Sequence, residues 1–127
     1  MNKHRVFVYG TLKQGNNIRG LDSFGNADMV GTAITTESVY SLYDLGAFPA
    51  VTLNGNNKIQ GEVWQVDDKT LATLDNIEGY PDFYNRVRVS TTEGTAWVYY
   101  IPDISEYEGA EQITAGPEQA VSWSPFS

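Results

Sequence analysis

The sequence predicts an α+β domain, a small mixed β-barrel, closed or nearly so, with few helices and one of them packed against it. Three observations carry this prediction. Segments rich in β-branched and aromatic residues recur along most of the chain. Turns bearing glycine or asparagine separate them. One central stretch has its apolar residues at helical rather than alternating spacing.

The first strand is Arg5-Val6-Phe7-Val8-Tyr9, which ends abruptly at Gly10. Lys13-Gln14-Gly15-Asn16-Asn17 and a glycine-rich stretch to Gly31 follow, with residues 22–28 read as loop containing at most a helical turn. Residues 32–45, with Thr35, Thr36, Val39, Tyr40 and Tyr43, read as strand, continuous or interrupted. Residues 50–53 and 58–66 flank Asn54-Gly55-Asn56-Asn57. Asn-Gly supplies the positive φ angles of a tight turn, so a hairpin is expected there. A second hairpin is expected from the alternation of Arg86-Val87-Arg88-Val89-Ser90-Thr91, the turn Thr92-Glu93-Gly94 and the return through residues 95–101. Between them lies a helix over residues 67–77. Asp67 or Asp68 can cap its start, Leu71, Leu74 and Ile77 form a stripe toward the core, and Gly79 stops it.

The chain has 127 residues, which suits one domain. After Pro102 it becomes acidic and polar. The expected organisation is therefore a folded domain over residues 1–102 and an extension over 103–127, either mobile or laid over one barrel end. Trp123 and Phe126 favour docking.

Composition excludes several function classes. A hydrophobic fraction of 41% argues against disorder. The absence of cysteine removes disulfides, thiolate zinc sites and cysteine nucleophiles. Sixteen acidic against eight basic residues give a net charge of −8, a field that repels nucleic acid and anionic membrane. No apolar run approaches the ~20 residues of a membrane span. The run after the basic start is too short for a signal-peptide core, so a cytoplasmic location is expected by default. His4 is the only histidine, so neither a histidine metal site nor a well-placed serine–histidine relay is expected. No phosphate loop or dinucleotide fingerprint is present.

Two segments can carry chemistry. In Tyr9-Gly10-Thr11-Leu12, a strand runs into glycine, which lets the backbone approach a ligand closely. Successive N–H groups there can form an anion-binding nest. The plain alternative is an ordinary strand end. In Leu74-Asp75-Asn76-Ile77-Glu78-Gly79-Tyr80-Pro81, Glu78 lies at the helix C-terminus among apolar and aromatic neighbours. The negative end of the helix dipole and burial both raise a carboxyl pKa, which suits a general acid–base group. The alternative is an exposed glutamate at a fraying helix end.

These residues carry a resemblance. Tyr9-Gly10-Thr11-Leu12-Lys13 after an apolar strand, Phe48-Pro49-Ala50-Val51, Gln60-Gly61-Glu62-Val63-Trp64-Gln65-Val66, and Leu74-Asp75 followed by Glu78-Gly79-Tyr80-Pro81 and Tyr84-x-Arg86 occur in order. Together they resemble the motifs of the γ-glutamylcyclotransferase-like family over residues 5–101, in the branch that includes γ-glutamylamine cyclotransferases. The resemblance implies a small mixed barrel with a cavity at one end and a small-molecule γ-glutamyl substrate. It also implies release of 5-oxoproline without cofactor or metal. By position, Tyr9, Gly10, Thr11 and Leu12 would hold the glutamyl group and Glu78 would be the acid–base residue. Tyr84 and Tyr100 are candidate wall residues by alternation. The alternative function is a non-catalytic small-molecule-binding protein using the same cavity.

Overall fold

In the computed structural model, the described residues are 3–9, 27–46, 48–80, 82–107, 109–114 and 120–122. Strand β1 (Lys3–Val8) is the pivot of the fold. It pairs antiparallel with β5 (Gln60–Asp67) on one side and parallel with β7 (Gly94–Tyr100) on the other. Strand β2 (Ala27–Ile34) lies outside β5, and β6 (Asn85–Thr91) lies outside β7. The resulting five-stranded order is β2-β5-β1-β7-β6. A second sheet joins β3 (Tyr40–Asp44), β4 (Pro49–Asn57) and β8 (Glu111–Ile113) in the order β4-β3-β8. The one α-helix among the described residues, α1 (Asp68–Glu78), follows β5 directly.

The mixed α+β class is as the sequence predicts, but the sheets do not form a closed barrel. The outer strands of the five-stranded sheet meet only at one corner. There Thr35 bridges Thr91, and Thr36 N–H donates to Ser90 O at 3.0 Å. The second sheet supplies Tyr40, Leu42 and Val51 to one core and Ala50 to the other.

Alternation along the strands assigns two cores. Phe7 and Tyr9 of the first strand segment, Val63, Ala96 and Val98 point toward the second sheet, where they meet Tyr40, Leu42 and Val51. Val6, Val8, Trp64 and Val66 point the other way, toward Leu71 and Leu74 of α1. Gly61 permits the close approach of β5 and β1, because a Cβ there would collide with Val8 O and press on the Phe7 ring. The second predicted hairpin is present as β6 and β7, closed at Thr91 and Gly94 with Gly94 at φ 95°.

The first predicted hairpin is not formed. Residues 50–53 run on through Asn54-Gly55 within β4, which pairs with β3, while β5 pairs with β1 and β2. Asn54-Gly55 lies in an irregularity where the β3–β4 register jumps from Ser41↔Thr52 to Tyr40↔Asn57. Gly55 N–H donates to Val39 O at 3.1 Å and Ser41 Oγ donates to Asn54 O at 3.1 Å. A Cβ at Gly55 would strike Ser41 Oγ, so this glycine serves a bulge between strands rather than a turn.

Helix α1 starts as expected: the Asp67 carboxylate accepts the Thr70 N–H at 2.8 Å. It ends at Gly79, whose φ of 68° turns the chain out of the helix. Leu71 and Leu74 are buried, but Ile77 is 55% exposed. Residues spaced by three drift backward round a helix, so Ile77 lies about 120° from Leu71 and off the core face. Beyond Pro102 the chain returns to the fold. β8 pairs with β3 through Leu42↔Ile113, and buried Val121 bridges Ile59. Trp123 and Phe126 lie outside the described residues, as do residues 22–26 of the loop expected over 22–28, whereas Ala27 and Asp28 are not loop but begin β2, paired with Val66 and Gln65. No helix among the described residues is long and apolar enough to cross a membrane.

Candidate active site

Glu78 is the last residue of α1, set there by a tightly bonded exit from the helix. Gly79 N–H donates to Asn76 O at 3.2 Å and Tyr80 N–H to Asp75 O at 2.9 Å. The next residues fold back: Phe83 N–H donates to Gly79 O at 2.8 Å and Tyr84 N–H to Glu78 O at 3.2 Å. This return places Tyr84 beside Glu78. A side chain at Gly79 would adopt a disfavoured φ and press on Phe83 Cβ.

Three buried phenols feel the charge of Glu78. Tyr9 comes from the end of the first strand segment, Tyr84 from the turn after α1 and Tyr99 from β7, and the glutamate's charge acts on each. Burial pushes the pKa of all three well up, so they are neutral donors at physiological pH. Their protons are committed elsewhere. Tyr9 O–H donates to Tyr99 O at 2.6 Å, Tyr84 O–H to Pro49 O at 2.7 Å, and Tyr99 O–H to Asp75 Oδ1 at 2.6 Å. The Tyr9 oxygen also accepts the Val51 N–H at 3.2 Å.

Burial raises the Glu78 pKa from 4.5 to about 7. No hydrogen bond from the described residues offsets that burial, because each neighbouring hydroxyl points at another acceptor. Around Tyr84 the wall is aromatic. Phe83 meets Tyr84 edge-on at 4.9 Å between ring centres, and Phe48 and Tyr107 each meet Phe83 edge-on, at 6.0 Å and 5.8 Å. The result is a carboxyl poised to gain or lose a proton near neutrality in weakly polar surroundings.

Of the residues singled out in the sequence, Tyr9, Glu78 and Tyr84 are brought together. Gly10, Thr11 and Leu12 lie outside the described residues. Tyr100 packs with the inter-sheet core that contains Tyr9, on the face of β7 opposite Tyr99. Tyr99, Asp75 and Arg86 are the additions that the structure makes. Arg86 Nε donates to Asp75 Oδ1 at 2.9 Å and its Nη2 to Oδ2 at 3.3 Å. Asp75 and Arg86 stand in the quoted motifs, but residue type and spacing alone do not reveal that they pair. Among the described residues no three His, Asp or Glu side chains come together as a metal-binding group.

The chain is similar in sequence and fold to known proteins. The family model described as "Gamma-glutamyl cyclotransferase, AIG2-like" matches residues 6–123. A relative from Vibrio cholerae named for gamma-glutamylcyclotransferase is 41% identical over 97 residues, covering 76% of this chain and 81% of its own. The gamma-glutamylcyclotransferase family protein YtfP of Escherichia coli is 38% identical over 97 residues, covering 75% and 80%. The solution structure of ytfP from Escherichia coli superposes with a TM-score of 0.64 over 88% of this chain and 93% of that one, at 35% identity. The crystal structure of an AIG2-like protein from Mus musculus gives a TM-score of 0.71 at 25% identity, over 87% and 86%. With a match that runs from β1 through the segment after β8, this chain belongs to the γ-glutamyl cyclotransferase, AIG2-like family.

Proposed function

We propose that this chain is a cofactor-independent γ-glutamyl cyclotransferase that converts a γ-glutamyl compound into 5-oxoproline and a free amine. The observation that carries this reading is Glu78: a carboxyl with a pKa of about 7, set among three phenols whose protons are already given to other acceptors. Family membership supports the same reaction class.

In this reaction the substrate's α-amine nitrogen attacks its own γ-carbonyl carbon. A C–N bond forms and closes a five-membered ring. The bond from that carbon to the original amide nitrogen then breaks. One proton must leave the attacking amine and one must reach the departing nitrogen. Glu78 accepts the first and returns it to the second, so one carboxyl serves both steps. A pKa near neutrality suits a group that must work in both directions. Tyr9, Tyr84 and Tyr99 shape the surroundings but do not compete for this role, since each proton is engaged. Because the nucleophile is tethered within the substrate, positioning supplies much of the acceleration. Residues 9–12 are the proposed holder of the glutamyl α-carboxylate or the developing oxyanion, through backbone N–H groups.

The test is a panel of γ-glutamyl amines, γ-glutamyl amino acids and glutathione, assayed for 5-oxoproline with wild type and Glu78→Gln. Product from at least one compound, lost in the variant, is expected. Binding of a γ-glutamyl compound without product from any of them would replace catalysis with metabolite binding.

A further inference from the structure

We propose that Asp75, Arg86 and Tyr99 form a positioning clamp that locks the last turn of α1 onto β6 and β7 and thereby fixes the Glu78 carboxyl in its place. The kinetic part of this inference rests on the proposed cyclotransferase reaction, but the placement of Glu78 does not.

The last turn of a helix is its weakest part, because its carbonyls lack helical partners. In α1 that turn carries the acid–base group. Apolar packing secures it only from beneath: Leu74 is fully buried, but Ile77, beside Glu78, is 55% exposed. No basic residue in the turn compensates the helix dipole. Beside the backbone bonds of the helix exit, the securing side-chain contacts converge on Asp75. Its carboxylate receives both Arg86 bonds, at 2.9 Å and 3.3 Å, and the Tyr99 hydroxyl at 2.6 Å. Its carbonyl receives the Tyr80 N–H at 2.9 Å. Arg86 is itself sandwiched, with its guanidinium 4.8 Å from the Tyr80 ring centre and 4.3 Å from that of Trp97. A planar fork held between two rings has little freedom left to lose when it binds a carboxylate.

Tyr99 links this clamp to the opposite wall of the site. Its side chain holds Asp75, and its carbonyl accepts the Tyr9 hydroxyl. The helix end and the Tyr9 phenol are therefore referenced to one residue of β7. The phenols that feel the charge of Glu78 are Tyr9, Tyr84 and Tyr99, all neutral; on its own helix Asp75 pairs with Arg86 from β6. Tyr99→Phe consequently loosens the clamp without altering any charge near Glu78. A change in Glu78 titration in that variant therefore reports placement, burial and the loss of one hydroxyl, with no change of charge.

The experiment follows the Glu78 carboxyl by carbon NMR across pH in the full chain, for wild type, Tyr99→Phe, Asp75→Asn and Arg86→Lys, with thermal melting beside it. The expected midpoint falls from about 7 in wild type toward the ordinary carboxyl range in Tyr99→Phe and Asp75→Asn. Arg86→Lys, which keeps the charge and one bond, falls less. In the 5-oxoproline assay kcat drops on the order of tenfold with KM little changed, as expected when a reacting group is misplaced. The acid limb of the pH profile moves down with the NMR midpoint. Variants that melt earlier but keep the wild-type Glu78 midpoint and kcat would reduce the clamp to a purely structural role and overturn the proposal. Tyr99→Phe keeps the test decisive if Asp75→Asn fails to fold. A wild type without 5-oxoproline activity would remove the reaction, while the titration would still decide the clamp.

Discussion

The two faces of the five-stranded sheet are built from the same kinds of strand but end differently. Toward the second sheet lie Phe7, Leu42, Val51, Val63 and Val98, a nearly continuous apolar core. Toward the helix the core begins alike, with Val6, Val66, Leu71 and Leu74. At one end, however, it gives way to Asp75, Glu78, Arg86 and the hydroxyls of Tyr84 and Tyr99. Every other polar group named there is engaged: an ion pair, a carbonyl, a carboxylate. Glu78 alone is shifted by burial without a compensating bond from the described residues. The first face spends its volume on stability. The second gives up some stability to keep one carboxyl near neutrality, the kind of local inconsistency that marks working sites.

The largest expected effect comes from removing that carboxyl. Glu78→Gln should lower 5-oxoproline formation by about a thousandfold, within the range for loss of an acid–base group. It should not lower the melting temperature at pH 8. The next test sets the faces against each other. Leu74→Ala and Leu42→Ala each remove a fully buried leucine and should each cost about 3 kcal/mol, measured by urea unfolding. Only Leu74→Ala should also lower kcat, because only it lies under the turn that holds Glu78.

The third test uses pH. In the folded protein Glu78 keeps its proton to about pH 7, whereas unfolded it loses it near 4.5. The folded state thus binds more protons between these values, so stability falls as pH rises through that window. A shift of that size corresponds to about 3 kcal/mol, lost above pH 7 and absent in Glu78→Gln. Urea unfolding at pH 4.5 and pH 8 for both proteins checks it. The smallest effect is Tyr84→Phe, which removes the bond to Pro49 O and should cost about 1 kcal/mol.

Much of this was legible in the sequence where local chemistry decides the outcome. The Asp67 cap, the Gly79 stop and the Thr92-Glu93-Gly94 turn act within a few residues, and each is formed. Asn54-Gly55 misleads because its glycine answers to a neighbouring strand, β3, that lies far off in sequence. Sheet closure is likewise a long-range property: whether β2 and β6 meet along their length or at one corner depends on twist, which strand residues do not spell out. In the site, Glu78 and Tyr9 could be read from their motifs. Tyr99 could not be told from Tyr100, because Trp97-Val98-Tyr99-Tyr100-Ile101 is apolar or aromatic at every position and offers no alternation. The Asp75–Arg86 pair joins the end of α1 to the start of β6, a contact that residue type and spacing do not announce.

The most direct test of the central claim is the pH dependence of kcat/KM for 5-oxoproline release, wild type beside Glu78→Gln. Wild type should show an acid limb that titrates near the Glu78 value of about 7, and the residual rate of Glu78→Gln should lack that limb. A limb in the ordinary carboxyl range, or the same limb at undiminished rate in Glu78→Gln, would contradict it.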